Sequence, residues 1–349
     1  MKLISLLLVM LLGAHLPQVL AQEWVESTDL SKSPIEGYPE EVVARLSAAA
    51  EQERTAFGQL ASVQEYIVES GKRWPAGSIV RVAFNGGSRQ LHDAIAQQAA
   101  RWLSESGITS LKLDFGKDAL GNYRGWSTSD LEYSAEIRVS FSSRGYWSAV
   151  GRDAASPQRF PPNVASMNFE NFLYGLPTNW KATVLHEFGH AFGFHHAHAA
   201  QQCAEEYRWE AGPDRDKQPS IYDVFRTWQG WGPEKVRMNM SPYIAQTGDF
   251  ISASDRKSVM FYKLPAIIFK DPATATCYIT EENMSLSPGD LQGFALAYAP
   301  TRAQSRRLDT LAVKARDEIQ VALVRSDNPA TDLVLANELR AILRTQDLR

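Results

Sequence analysis

The chain has 349 residues, an apolar fraction of 44% and a formal net charge of −4. That length and apolar content suffice for one large domain or two modest ones with a sizeable core. The weakly acidic balance supplies no general basic field, which excludes recognition of nucleic acid or of an anionic membrane surface through overall charge.

At the start of the chain, Lys2 precedes an apolar run from Leu3 to Ala14, and Val19-Leu20-Ala21 places small or apolar residues at a cleavage position. This is the pattern of a signal peptide, residues 1–21, and it predicts export to the periplasm or the medium. A membrane anchor needs about 20 unbroken apolar residues, whereas Gly13, His15, Pro17 and Gln18 interrupt this run. No later stretch is long and apolar enough to span a bilayer, so no transmembrane segment is expected. Residues 22–71 are polar and helix-compatible, with a helix start at Pro39-Glu40-Glu41 and an Ala, Glu, Gln and Arg-rich stretch through Ala61. They read as a separate N-terminal helical segment, either a removable pro-region or a permanent part.

From Arg73 the texture changes. Ser78 to Phe84 alternates as a half-buried strand does, and Asn85-Gly86-Gly87 supplies a turn. Gln90 to Ser104 carries apolar residues at helical spacing and stops before Gly107. Leu111–Phe115, Glu136–Phe141 and Val164–Phe169 are strand candidates, and Thr178–Phe192 is the next helix, with Thr178 as N-cap. This order predicts a mixed sheet backed by helices, an α/β or α+β layer design. Ala197 to Pro300 has few regular runs and both cysteines, Cys203 and Cys277. Export favours one disulfide between them over two free thiols. Residues 301–349 return to helical composition as a C-terminal extension, with two candidate helices separated by Asp327-Asn328-Pro329.

Five of the seven histidines fall between positions 186 and 198. His186 and His190 are four apart, so on a helix their imidazoles leave one face and can grip one ion. Glu187 is adjacent to that face, where its carboxylate can take a proton from water without being a ligand. A catalytic zinc site keeps three protein ligands and an open position. Gly193 accepts left-handed backbone angles and can turn the chain back, so that His196 completes the set. His195 is one residue off this spacing and points away from the ion; His198 is either a supporting group or solvated.

The stretch His186 to His196 spells HExxHxxGxxH and resembles the zinc signature of the metzincin metallopeptidases. Ser258-Val259-Met260-Phe261-Tyr262 is similar to the methionine turn of the astacin branch. The resemblance implies that Met260 lies beneath the imidazoles, and that Tyr262 is a resting metal ligand which stabilises the oxyanion during the reaction. Gly145 to Arg152 resembles the WSxVGR edge strand of astacins and their bacterial relatives, and Leu286–Gly293 with Tyr298-Ala299-Pro300 resembles their closing helix. An edge strand can accept an extended peptide as an added strand, which makes Trp147, Ser148, Ala149 and Val150 candidate substrate-binding residues. The likeness covers 72–300 and implies an α+β zincin/metzincin fold. Such a fold has a mixed twisted sheet with a backing helix and an active-site helix, followed by a smaller irregular C-terminal subdomain.

Animal astacins carry a glutamate after the third ligand, and Ala197 stands there instead. The N-terminal segment has no cysteine and no FxGD-like aspartate, so neither form of latency switch is expected. The expected activity is a secreted, zinc-dependent endopeptidase acting on protein or peptide substrates, with one catalytic zinc ion and Glu187 as general base. Two rival readings differ in kind. One is a non-catalytic zinc- or peptide-binding domain on a metzincin scaffold, and the other is a chain whose C-terminal extension is a helical docking module.

Overall fold

The computed structural model describes residues 37–57, 67–68, 72–75, 77–242, 250–251 and 255–298. The signal peptide and the C-terminal extension lie outside the described residues, as does most of the N-terminal segment beyond its helix. The chain is α+β. In order, its elements are helix α1 (Glu40–Phe57), strand β1 (Ile67–Val68), strand β2 (Ile79–Phe84), helices α2 (Arg89–Ala99) and α3 (Arg101–Ser106), and strands β3 (Lys112–Asp114), β4 (Ile137–Ser140), β5 (Tyr146–Ser148) and β6 (Met167–Phe169). Helices α4 (Trp180–Ala191), α5 (Gln201–Glu206), α6 (Ile221–Gln229) and α7 (Pro233–Met240), strand β7 (Phe250–Ile251) and helix α8 (Pro288–Tyr298) follow. Among the described residues no helix is long and apolar enough to cross a membrane.

Five strands form one mixed sheet in the order β3-β2-β4-β6-β5. The first four run parallel, and β5 is the antiparallel edge strand, with Trp147 opposite Asn168 of β6. β1 and β7 make a separate antiparallel pair. The parallel strands need crossovers, and the α2–α3 stretch provides one between β2 and β3. Ser88 caps α2 by accepting from the Leu91 N–H at 3.2 Å, and Gly107 ends α3 in the left-handed region at φ 70°. Trp102 of α3, Phe192 and Phe194 beyond α4, and Phe294 of α8 meet with ring centroids 5.0 to 6.4 Å apart, clamping the site helix α4 from below.

Arg138 of β4 is wholly buried, yet its guanidinium donates to the carbonyls of Ala135, Glu136, Ala154, Phe160 and Val164. With the Pro161 carbonyl at 3.3 Å, six carbonyl dipoles replace its water, and burial lowers its pKa only to about 10, so it stays charged at neutral pH. It thereby pins the loop that returns from β5 to β6.

Two sequence expectations are corrected. Asn179, not Thr178, occupies the N-cap of α4, and it makes no side-chain cap hydrogen bond; the turn Pro177–Trp180, closed by a 3.0 Å backbone bond, delays the helix. The stretch after Ala197 is also more regular than its turn residues suggested. It holds α5, α6 and α7, with α6 started by a capping box between Ser220 and Asp223 and stopped by Gly230 at φ 68°. Cys203 and Cys277 form a disulfide, with Cα atoms 5.4 Å apart across 74 residues of chain.

Candidate metal centre

Helix α4 carries His186, Glu187 and His190, all buried. Their four-residue spacing puts both imidazoles on one face. Gly193 then adopts φ 96°, a left-handed angle that few residues with a side chain reach, and the Phe194 N–H bonds back to the Gly189 carbonyl at 3.0 Å. The reversal brings His196 Nε2 to 3.0 Å from His190 Nε2, while His190 Nε2 lies 3.2 Å from His186 Nε2. All three ligand nitrogens fall within 4.8 Å of one another.

The second ring nitrogens explain why these atoms converge. His186 Nδ1 lies 2.6 Å from the Val259 carbonyl, and His190 Nδ1 lies 2.6 Å from the Phe194 carbonyl. A carbonyl can only accept, so each Nδ1 bears the hydrogen and each Nε2 offers a lone pair. Lone pairs crowded at 3.0 to 3.2 Å repel unless a cation sits among them. Imidazole nitrogens at about 2.0–2.1 Å from a tetrahedral zinc would stand about 3.3 Å apart, so the donor set and its spacing fit zinc. These three histidines could hold a metal ion.

Beneath them runs the turn Ser258–Phe261, closed by a 3.0 Å bond from the Phe261 N–H to the Ser258 carbonyl. Met260 is buried there, and its carbonyl accepts from the Ala197 N–H at 2.9 Å, which ties the turn to the residue after His196. Gly189 makes this approach possible, because a Cβ at that position would lie 2.4 Å from Met260 Sδ. Asp290 of α8 holds the turn from the other side. Its carboxylate accepts from Ser258 Oγ at 2.5 Å and from the Val259 and Ser287 N–H groups at 2.9 Å each. The Val259 carbonyl that orients His186 is thus anchored through a buried carboxylate. Burial and the neighbouring Asp290 raise the pKa of Asp255 to about 6.

Tyr262 reaches into the same cluster. Its hydroxyl lies 2.8 Å from His196 Nε2, and its ring stacks on His186 at 5.1 Å. His198 is buried rather than solvated. The edge strand β5 runs beside α4, and Tyr146, at its start, feels the Glu187 charge; burial first and then Glu170, Glu187 and Glu282 push its phenol pKa up. Trp147, Ser148 and Ala149 are buried, so what β5 offers to a ligand is backbone. Gly189, Asp290 and Asn239, whose carbonyl meets His198 Nε2 at 3.2 Å, were not singled out from the sequence. Only Asp290 had a readable signal, the Ser-x-x-Asp helix start Ser287–Asp290.

No family model matches this chain, and no curated protein matches it. Among solved structures, two of myroilysin are similar. One shares 24% identity over 68% of this chain and 99% of that chain, with a TM-score of 0.49; the other shares 25% over 69% and 92%, with a TM-score of 0.42.

Proposed function

We propose that this chain is a zinc-dependent endopeptidase of the metzincin type, with His186, His190 and His196 as ligands and Glu187 as general base. The convergence of three imidazole lone pairs, two of them oriented by backbone carbonyls, is the observation that supports it best. When bound, zinc supplies a positive charge that acidifies water and polarises a carbonyl oxygen. The Glu187 carboxylate takes the proton of the attacking water and returns it to the leaving amine. The Tyr262 hydroxyl donates to the oxyanion that develops on the scissile carbonyl. The backbone of β5 at Trp147 and Ser148, continued by Ala149 and Val150, orients an extended substrate segment by strand addition.

In this reading residues 22–71 form a removable segment, of which Gly37 and Tyr38 occupy that edge. The Gly37 N–H donates to the Tyr146 carbonyl at 3.1 Å, and the Tyr38 hydroxyl donates to the Ser148 carbonyl at 2.6 Å. An incoming peptide has to compete for both acceptors. A chain starting at Lys72 is expected to cleave casein several-fold faster than one starting at Gln22, and the full-length Tyr38→Ala variant, which leaves α1 in place, is expected to move the same way. Unchanged rates in both would identify the segment as a permanent part. The disulfide, which an oxidising compartment permits, supports reading the enzyme as secreted, extracellular or periplasmic.

The direct test is cleavage of casein with and without a chelator, followed by zinc add-back. Activity is expected to vanish with chelation and return with zinc. Cleavage that survives chelation would sink the reading, and bound zinc with no cleavage by either form of the chain would favour a non-catalytic binding domain.

A further inference from the structure

His198 lies two residues beyond the third proposed ligand, on the short 3-10 turn Ala197–Ala199, and is completely buried. Its ring stacks on Tyr262 with centroids 4.5 Å apart at 27°, and on His196 at 4.7 Å and 20°. Two further contacts fix the ring and one fixes its backbone. Nε2 meets the Asn239 carbonyl of α7 at 3.2 Å, the His198 carbonyl accepts from the buried Tyr207 hydroxyl at 3.0 Å, and Phe261 meets the ring edge-on at 6.3 Å. Asn239 is itself buried, and its amide donates to the Lys235 carbonyl one helical turn back at 2.7 Å. A chain of packed groups therefore runs from α7 through Asn239 and His198 to the Tyr262 ring.

Building on the proposed zinc-peptidase reading, we infer that His198 is a positioning residue which holds the Tyr262 ring against the ligand cluster through its aromatic face, with α7 as the fixed support. Tyr262 stands at the end of the tight turn Ser258–Phe261 and is itself only part-buried. Its hydroxyl stays near His196 Nε2 only if the ring is confined, and the stacked faces of His186 and His198 confine it. Offset aromatic stacking stabilises such a pair beyond simple burial. The hydrogen bond to Asn239 sets the plane of the imidazole, and the ring face transmits that plane to Tyr262.

The full-length chain carrying one equivalent of copper(II) tests this, because a phenolate in contact with copper gives a charge-transfer absorption band. Tyr262→Phe sets the zero. His198→Phe keeps the ring and loses the bond to Asn239; His198→Gln keeps a hydrogen-bonding group and loses the ring. The wild type is expected to show the band in full, His198→Phe to keep the larger part of it, and His198→Gln to lose most of it. In the zinc-loaded chain, kcat of His198→Gln is expected to fall about tenfold with KM little changed, as for loss of a transition-state contact. If His198→Gln does not fold, His198→Leu, which fills the volume without a stacking face, takes its place. A ring-less variant with the full band and full kcat overturns the inference, as does a wild-type spectrum equal to that of Tyr262→Phe while one metal ion is bound. A wild type that takes up neither copper nor zinc overturns the metal-centre reading, and this inference with it.

Discussion

With glutamine in place of Glu187, kcat/KM on an unfolded protein substrate is expected to fall by about 10³-fold, within the 10²–10⁴ range of a lost general base. Glu187 is only 1% exposed and follows His186 directly on α4. A carboxylate in that place has been withdrawn from bulk water, which has a cost unless its charge is used or compensated. Glutamine fills the same volume and keeps the hydrogen-bonding shape, but it cannot accept the proton of the attacking water. Zinc affinity is expected to change little, because the residue is not a ligand in this account. Initial rates of peptide cleavage and a zinc titration on the same preparation separate the two effects. Comparable rates for variant and wild type would remove Glu187 from the mechanism.

Replacing His190 by alanine is expected to weaken zinc binding by more than about 100-fold, since even groups that merely orient a ligand cost 10–100-fold when lost. His190 Nε2 is the nitrogen shared by both short distances, 3.2 Å to His186 and 3.0 Å to His196. Its removal takes away the centre of the set rather than its rim. The loss also shows in stability. A ligand present at 1,000 times its Kd stabilises the folded state by about 4 kcal/mol, so zinc is expected to raise the thermal midpoint of the wild type and to raise that of His190→Ala by far less. An equal zinc-dependent rise in both chains would place the ion elsewhere.

What could be read in the sequence was what local spacing fixes. His186 and His190 depend only on the helical repeat, and Gly193 and His196 on a single chain reversal, so eleven consecutive residues contain the whole ligand set. The strands at 79–84, 112–114, 137–140 and 167–169 were signalled by alternation or short apolar runs, with ends displaced by at most three residues. The supports were not legible because they come from far along the chain. Asp290 acts on Val259, which acts on His186, and nothing in the neighbourhood of any one of them announces the other two. Gly189 looks like one more glycine inside a helix until Met260 Sδ is found where its Cβ would be. The helices between 201 and 240 were hidden for another reason. Gly212, Pro213 and Pro219 gave the stretch a loop composition, although Ser220 and Asp223 already carried the capping pattern of α6. Two cysteines allowed one bridge or two free thiols, the expected export favoured the bridge, and the structure contains it.

In the proposed reading, His186, His190 and His196 form one zinc site on which cleavage depends. Calorimetric titration of metal-free wild-type protein with zinc, with casein cleavage followed at each addition, tests it most directly. One ion per chain is expected, with activity that rises in proportion to occupancy and levels off at one equivalent. Zinc uptake at that stoichiometry with no relation to cleavage, or cleavage at full rate before any zinc is added, would contradict it.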